Sequence, residues 1–293
     1  VAQALPLMLA MFVLFPRVPG PLWGLPSDAG ASRSGLSDKM SPGDIASLIR
    51  SDEIAFRVRF DGPVPANRFL YWRGPVFWAF DGREWSEGGP PPRATYPVQD
   101  TGEPVGYEVA LEPNRTPWLM ALDAVDAGAV PADSELSADG RLLSNTLVRE
   151  RRLYHTASFL RYVAQQQLPE YYRRLALRLP KGRNPRSVAL AQQWRAEAEA
   201  QGLGDSAIVS RALALFREQA FVYTLNPPML GADPVDSFLF DTRRGFCEHY
   251  ASSFTVLMRA AGIPARIVTG YQGAAAADYG PDWIVRQSDA HAW

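Results

Sequence analysis

The chain has 293 residues, of which 47% are apolar and 21% charged, and its formal net charge is −1 at pH 7. This composition excludes an intrinsically disordered chain and predicts a buried core, and the length predicts about two domains of roughly 150 residues each. The nearly balanced charge gives no basic surface, so we expect no nucleic-acid partner. The single cysteine, Cys247, excludes an intramolecular disulfide and a four-cysteine zinc site.

The first part of the chain, residues 1–15, is an uncharged and mostly apolar run. At about 1.5 Å per residue a helix over this run would span roughly 22 Å, less than the ~30 Å hydrocarbon core of a bilayer. A buried core helix and a signal-peptide core are the alternatives, but the sequence has no basic start or small-residue cleavage site. We interpret residues 1–16 as the C-terminal part of a transmembrane helix. We expect the chain to be cut at both ends, since it opens on Val1 and stops at Trp293.

Residues 17–50 predict a linker followed by a short helix. The stretch 16–42 is rich in Pro, Gly and Ser, a composition typical of an extended linker. The Ser-Pro-Gly-Asp sequence that follows opens a short helix with apolar residues at Ile45, Leu48 and Ile49.

The region 51–158 predicts a β-rich domain. Residues 54–60 alternate between apolar and polar side chains, which indicates a half-buried strand, and residues 107–112 repeat the pattern. Residues 69–72 and 76–80 are aromatic-rich strand candidates, and the Asp-Gly pair after them is a hairpin signal. Several short strands at this spacing predict a small β-sandwich that serves as a scaffold or spacer.

The remaining region, 159–293, mixes helices and strands. An amphipathic helix is predicted over 187–200, and Asp205 is the predicted N-cap of the next helix. Short extended runs are predicted at 221–225, 266–271 and 283–287.

A helix is also predicted to start near Gly245, which places Cys247 in its first turn. Apolar residues recur at helical spacing from 250 to 261, and Gly262 followed by Pro264 ends the helix. Unpaired N–H groups and the positive dipole end at a helix start favour a thiolate. Cysteine is also among the most buried residue types, so an ordinary packing role remains the alternative.

A nucleophilic thiol needs a base, and the chain has three histidines. His155 stands among arginines in the β-rich region, and we expect a surface or structural role. His249 lies two residues after Cys247, about 200° around the helix, so we expect it to face away and to be structural. His291 lies just after the predicted strand 283–287, which can pack beside the cysteine helix, and it is the candidate base.

The chain resembles the transglutaminase-like superfamily in RRGFCEHYASSFTVLMRAAGIPARIVTGYQG and in the later WIVRQSDAHAW. More closely, it resembles the bacterial membrane-anchored TgpA-type transglutaminase-like proteins. The core of the resemblance covers about 237–293, and SPGDIASLIRSDEIAFRVRFDG at 41–62 extends it over most of the chain. The resemblance implies an α+β fold: a papain-like transglutaminase core over 159–293, truncated at its C-terminus, preceded by the small β-sandwich-like domain and the transmembrane helix remnant.

The resemblance also implies a Cys-His-Asp triad, in which Cys247 matches the nucleophile and His291 the base. The family's Asp lies on the strand after the histidine, so we expect it beyond residue 293. Asp289 is an alternative, but side chains at i and i+2 of a strand run parallel, which makes a bond to the far side of the imidazole awkward.

Other groups are expected to frame the site. The backbone N–H of Cys247, at the helix start, is a candidate oxyanion donor. We expect Arg243, Arg244, Glu248 and Tyr271 to lie around it, the arginines favouring and the glutamate opposing a thiolate. The sequence shows no metal-ligand spacing, so we expect no metal and no cofactor.

The resulting hypothesis is cysteine-dependent acyl transfer on protein glutamine carboxamide through a thioester, as in a protein-glutamine gamma-glutamyltransferase. The expected partners are a protein or peptide substrate and an amine or water acceptor. The alternatives are a cysteine protease or amidase with the same triad, and a non-catalytic peptide-binding module, since a fragment without its Asp would be inactive. The resemblance implies a bacterial inner-membrane protein whose catalytic domain faces the periplasm.

Overall fold

The computed structural model describes residues 35–88, 97–99 and 102–293, which fall in one unit spanning 34–293. The predicted transmembrane remnant at 1–16, and the predicted linker as far as residue 34, lie outside the described residues. Among the helices that the structure describes, none has the length and apolar character needed to cross a membrane.

The helices lie mainly in the C-terminal half. In the described residues they are α1 (Asp44–Ile49), α2 (Glu170–Leu175), α3 (Pro185–Ala200), α4 (Asp205–Glu218), α5 (Pro234–Asp236) and α6 (Cys247–Ala260). A π-helical stretch, Ser237–Thr242, continues directly from α5. Single 3₁₀ turns lie at Asn67–Phe69, Ala127–Ala129 and Gln287–Asp289.

Most strands are short. In chain order they are β1 (Lys39–Met40), β2 (Ile54–Phe60), β3 (Tyr71–Phe77), β4 (Ala79–Phe80), β5 (Trp85–Ser86), β6 (Val98–Gln99), β7 (Val105–Leu111), β8 (Trp118–Leu119), β9 (Ala121–Leu122), β10 (Ala124–Val125), β11 (Ser134–Leu136), β12 (Leu142–Ser144), β13 (Arg152–Phe159), β14 (Val163–Ala164), β15 (Val222–Tyr223), β16 (Arg244–Gly245), β17 (Ile267–Gln272), β18 (Ala275–Ala276), β19 (Trp283–Arg286) and β20 (Ala290–Ala292).

Two antiparallel sheets contain most of the long strands. The larger has the order β10-β13-β7-β2-β19-β18, and the smaller has the order β20-β17-β3-β9. Smaller groups are β1-β5-β4, β11-β12-β8, β14-β6 and the parallel pair β15-β16.

Both main sheets join strands that are far apart in sequence. In the larger sheet β19 pairs with β2, and in the smaller sheet β17 pairs with β3. The strands of the predicted β-rich region therefore share their sheets with the predicted transglutaminase-like region, which differs from the separate sandwich that we expected. The physical reason is that β2 and β3 would otherwise present unpaired edges. The division near residue 158 stays a prediction from sequence.

Aromatic rings hold the two main sheets together. Phe56 of β2 meets Trp72 of β3 edge to face, with ring centroids 5.3 Å apart, and Trp72 meets Tyr107 of β7 at 5.6 Å. Tyr271 of β17 contacts Phe56 at 5.6 Å. All four side chains are buried, and edge-to-face pairs of this kind add to the free energy of apolar burial. This cluster fixes the sheet on which the candidate base lies.

Helix α6 ends as the sequence predicts. Gly262 has a φ of 82°, and its N–H donates to the carbonyl of Arg259 at 3.0 Å, while the N–H of Ile263 donates to the carbonyl of Met258 at 2.9 Å. These two bonds form a Schellman motif, which satisfies carbonyls that the helix leaves unpaired. The helix packs against α3, α4, β17 and β20.

Candidate active site

Cys247 is the first residue of α6, and the pairing of β15 with β16 fixes the chain just before it. Tyr223 of β15 lies opposite Gly245 of β16, and the N–H of Thr224 donates to the Gly245 carbonyl at 2.8 Å. The cysteine side chain is buried, with 3% of the residue exposed. The structure therefore places the thiol at the start of a helix, as predicted.

His291 lies on β20, at the edge of the smaller sheet, opposite Gly270 of β17. A Cβ atom at Gly270 would come within 1.9 Å of the carbonyl oxygen of Trp72, so only glycine allows the close approach of β3 and β17 at this point. The imidazole lies beside the rings of Tyr71 and Trp293, at centroid distances of 6.3 and 6.4 Å, and these two rings meet edge to face at 5.1 Å.

Cys247 and His291 line the same cavity, which has a volume of about 470 Å³. Helix α6 and strand β20 contact each other and form its floor. The rest of the wall is mainly aromatic and apolar, with one cation, and includes Leu213, Phe216, Tyr223, Tyr250, Phe254, Arg266 and Trp293. The two residues singled out from the sequence are thus brought together in an apolar cleft.

The electrostatic environment of the thiol is not the one expected from its helix position. Burial raises the pKa of Cys247 to about 11, and the negative charge of Glu248 adds to this. Hydrogen bonds from the backbone of Ala292 and Glu248, and from the hydroxyl of Tyr223, act in the opposite direction and favour the thiolate. Desolvation outweighs these groups, so the shift follows the burial of the cysteine, one of the two interpretations left open by the sequence, and not its helix position.

The pKa of the His291 imidazole shifts in the opposite direction to that of the Cys247 thiol. Burial lowers the pKa of His291, because the charged ring loses its hydration. With the thiol pKa raised and the imidazole pKa lowered, the resting pair at neutral pH is a neutral thiol and a neutral imidazole. Such a pair can act when the imidazole takes the thiol proton during attack, as a general base does.

The other two histidines lie away from the cavity. His249 is buried against Phe238 and Phe246, and its Nδ1 accepts the N–H of Phe246 at 3.4 Å. Burial lowers the pKa of His249 to about 4, so this ring is a neutral part of the first turn of α6. His155 is exposed and bonds Asp61 at 2.8 Å.

None of the four residues expected to frame the site lines the cavity of Cys247. Arg243 adopts a left-handed conformation with its guanidinium over the ring of Phe221, and Arg244 is exposed. Tyr271 is buried in the aromatic core, where its hydroxyl donates to Gln287 at 2.8 Å. Gly270 is the residue opposite His291, so the next residue of β17, Tyr271, faces the other side of the sheet.

Two carboxylates near the pair have backbone partners. Glu248 is buried and accepts the N–H groups of Gly43 and Ile45, the latter at 3.1 Å. Asp289 accepts the N–H of Arg286 at 2.8 Å. In the part of the chain that the structure describes, no carboxylate is hydrogen-bonded to the imidazole of His291, and no cluster of three or more His, Cys, Asp or Glu residues could hold a metal ion.

Tyr223 is the residue of the site that the sequence did not single out. Its ring stacks on that of Tyr250, with centroids 6.1 Å apart, and burial raises its pKa to about 12, so the hydroxyl stays protonated and can donate. The extended run at 221–225 was predicted, but its parallel pairing with the residues before Cys247 carries no local signal.

The fold and this cavity define a transglutaminase-like protein. Residues 193–293 match the transglutaminase-like superfamily, and residues 1–165 match the family described as the TgpA N-terminal domain. Two solved structures are similar: the periplasmic domain of TgpA from Pseudomonas aeruginosa, and the same domain bound to ethylmercury. The first is 42% identical with a TM-score of 0.81 and covers 88% of each chain. The second is 41% identical with a TM-score of 0.81 and covers 88% of this chain and 90% of the other.

The chain belongs to the TgpA family of transglutaminase-like proteins. A Pseudomonas aeruginosa relative, named protein-glutamine gamma-glutamyltransferase, is 44% identical over 292 residues, which are 99% of this chain and 43% of the relative. The uncharacterized protein YebA of Bacillus subtilis is 40% identical over 81 residues, 25% of this chain and 11% of the relative. The chain thus spans less than half the length of either relative.

Proposed function

We propose that this chain carries the nucleophile and the base of a cysteine-dependent acyl transfer on protein glutamine. The observation that supports this most directly is the shared cavity of Cys247, at the start of α6, and His291, on β20. The name of the Pseudomonas aeruginosa relative supports the substrate class.

In the proposed acylation step, a thioester on Cys247 replaces the carboxamide of glutamine. His291 takes the proton of the Cys247 thiol, and the sulfur attacks the glutamine carboxamide carbon, forming a C–S bond. The resulting imidazolium then gives its proton to the leaving nitrogen, the C–N bond breaks, and ammonia departs. A primary amine that attacks the thioester gives an isopeptide bond and restores the thiol, whereas water gives glutamate.

Two donors are available for the charge that develops on the carbonyl oxygen. As the first residue of α6, Cys247 has a backbone N–H without an acceptor inside the helix. The hydroxyl of Tyr223, which already bonds the thiol, is the second donor in our proposal. In the resting site the Cys247 N–H bonds the hydroxyl oxygen of Tyr223, so in this proposal both groups exchange these partners for the developing oxyanion during attack.

The setting of the site is part of the same proposal. We propose that the catalytic domain faces the periplasm and that residues 1–16 belong to a membrane anchor; the periplasmic origin of the similar solved domain supports the first statement. The acid that orients His291 is, in this proposal, supplied by the chain beyond residue 293.

The test uses the full-length protein, a glutamine-containing peptide and a labelled primary amine. We expect Cys247→Ala and His291→Ala each to lower kcat/KM by about 10³-fold or more, as losses of paired nucleophile and base usually do. His155→Ala, which changes an exposed histidine outside the cavity, is the matched control and should keep wild-type activity. Equal activity in wild type and Cys247→Ala would refute the proposal that Cys247 is the nucleophile.

The same assay separates the alternatives. Release of ammonia without incorporation of the amine would indicate a hydrolase with the same pair. Saturable binding of the peptide without turnover would indicate a binding module. The aromatic wall of the cavity favours transfer to an amine, since an apolar surface around the thioester limits the access of water.

A further inference from the structure

We propose that the segment 43–53, here called the strap, is a positioning device that holds Cys247 in line with His291, with Glu248 as its anchor. The inference rests on the proposed function, because it assigns the strap a role in that same reaction. The strap begins just before α1 and ends before β2. It contacts the two elements that carry Cys247 and His291, and the residues just after the strand that carries Tyr223.

The first contact joins the strap to the cysteine helix. The carboxylate of Glu248, the residue after the nucleophile, accepts the N–H of Gly43 and, at 3.1 Å, the N–H of Ile45. These N–H groups belong to the N-terminus of α1, where a negative charge is favourable. Both Glu248 and Ile45 are buried, so the bond between them is shielded from water, whereas the bond to Gly43 is partly buried.

The second contact joins the strap to the strand of the base. The N–H of Gln287 donates to the carbonyl of Glu53 at 2.8 Å, and the guanidinium of Arg286 donates to the carbonyl of Asp52 at 2.8 Å. Helix α1 also packs against the Gln287–Asp289 turn and against β20 itself. The strap therefore touches the chain on the N-terminal side of His291.

The third contact reaches the segment of the proposed oxyanion donor. The guanidinium of Arg50 donates to the carbonyl of Leu225 at 3.3 Å and to Oδ1 of Asn226 at 2.6 Å. These residues follow β15, which carries Tyr223. A single short segment thus contacts α6, β20 and the residues after β15, which are separated in sequence.

The placement of Glu248 is otherwise unfavourable for the chemistry. A carboxylate beside the nucleophile opposes formation of the thiolate. A role in holding α1 explains a buried acid at this position. The charge of Glu248 and its bonds to the strap then have opposite effects on the reaction, which an experiment can separate. Removing its charge favours the thiolate, whereas removing its bonds to the strap loosens the alignment.

The first experiment weakens the strap without changing a side chain of the cavity. Gly43 has a φ of 111° and open space around its Cβ position, so Gly43→Ala strains the backbone at the start of α1. We expect kcat for amine incorporation to fall about tenfold with KM nearly unchanged, because misplacement of reacting groups lowers turnover. Gly202→Ala is the matched control: Gly202 has a φ of 66° and open space too, but lies after α3.

The second experiment uses the opposing effects of Glu248. In Glu248→Gln one N–H of the strap loses its acceptor, and the charge beside Cys247 disappears. We expect alkylation of the thiol by iodoacetamide to become faster at a given pH, while kcat falls. A rise in both rates would show that Glu248 acts through its charge alone and would overturn the proposal.

Hydrogen exchange provides a readout that does not need turnover. In Gly43→Ala we expect faster amide exchange at the start of α6 and in β20, and wild-type exchange in α3. Faster exchange confined to the strap, with unchanged kcat, would overturn the proposal. If wild type shows no Cys247-dependent transfer, the proposed function fails, whereas the exchange result still reports whether the strap holds the two elements.

Discussion

The hydroxyl of Tyr223 should control the reactivity of Cys247, and the size of the effect can be worked from the structure. Burial raises the thiol pKa from 9.0 to about 11, which corresponds to an about hundredfold smaller thiolate fraction at pH 8. A more basic thiolate is intrinsically more nucleophilic, with a Brønsted coefficient of about 0.4–0.5, so the rate constant of the thiolate itself is about tenfold higher. We therefore expect Cys247 to be alkylated about tenfold more slowly than a free thiol.

Replacing Tyr223 by phenylalanine removes a hydrogen bond that favours the thiolate. A hydrogen bond to a charged group contributes about 1.5–3 kcal/mol. Because solvent surrounds the half-exposed Tyr223 and weakens this bond, we expect its loss to raise the pKa of Cys247 by about one unit. After the same correction for nucleophilicity, we expect Tyr223→Phe to be alkylated about threefold more slowly than wild type at any pH below the thiol pKa.

The assay is iodoacetamide labelling between about pH 7 and pH 10, read by mass spectrometry of the peptide that carries Cys247. Since the chain has one cysteine, the label reports on a single site. Tyr279→Phe, which changes a tyrosine that is 92% exposed, is the control and should react like wild type. A labelling rate that levels off below about pH 9, or a Tyr223→Phe variant that reacts as fast as wild type, would refute the reasoning.

Two further predictions concern groups that support the site. Between about pH 6.5 and 4 the unfolded chain binds a proton at His249 that the folded chain does not. The free energy of unfolding therefore decreases as the pH is lowered through this range, by up to about 1.4 kcal/mol per pH unit. His249→Gln, which keeps an acceptor at this position, should show a shallower fall in urea titrations; an identical slope would contradict the assignment. Asp236→Ala removes the acceptor of the Arg186 and Ser187 N–H groups at the start of α3 and should lower the free energy of unfolding by about 1–3 kcal/mol. The exposed control Asp241→Ala should cost less than about 1 kcal/mol, and equal losses would exclude a capping role.

Local structure follows from the sequence wherever periodicity and end signals agree. The alternation at 54–60 predicts β2 with the bounds that the structure has, and the signals around Gly262 predict the end of α6. Because the helix start and the histidine strand are both local features, the sequence also singles out Cys247 and His291. Their catalytic roles stay predictions.

Strand continuity was harder to predict where Gly74 and Pro75 interrupt an aromatic run. Two strands were expected at 69–72 and 76–80, yet one strand, β3, crosses this point and ends at Phe77. Its partner β17 shifts register between Val268 and Gly270, opposite the proline. An irregularity there tolerates a residue without an N–H, and it depends on a partner some two hundred positions away, which no local pattern reveals.

The direction of the thiol pKa shift shows the same limit in chemical terms. The sequence places Cys247 at a helix start, and the dipole argument that follows is sound but small. The cost of removing a charged sulfur from water depends on its surroundings, which include a cavity wall formed partly by Phe216 of α4 and Trp293 after β20. These groups come near the thiol only in the tertiary fold, so the sequence alone does not show how strongly burial raises the thiol pKa.

The candidate site is built by both halves of the chain. Strand β20 with His291 is held by β17, and β17 is held in turn by β3. The turn before β20 follows β19, which pairs with β2, and the strap fastens α6 from the same N-terminal side. Residues 193–293 contain the predicted nucleophile and base, and several of the strands and bonds that support them, namely β2, β3 and the strap, come from residues 43–77. We infer that the region matched by the TgpA N-terminal domain takes a direct part in aligning the site and is more than a spacer.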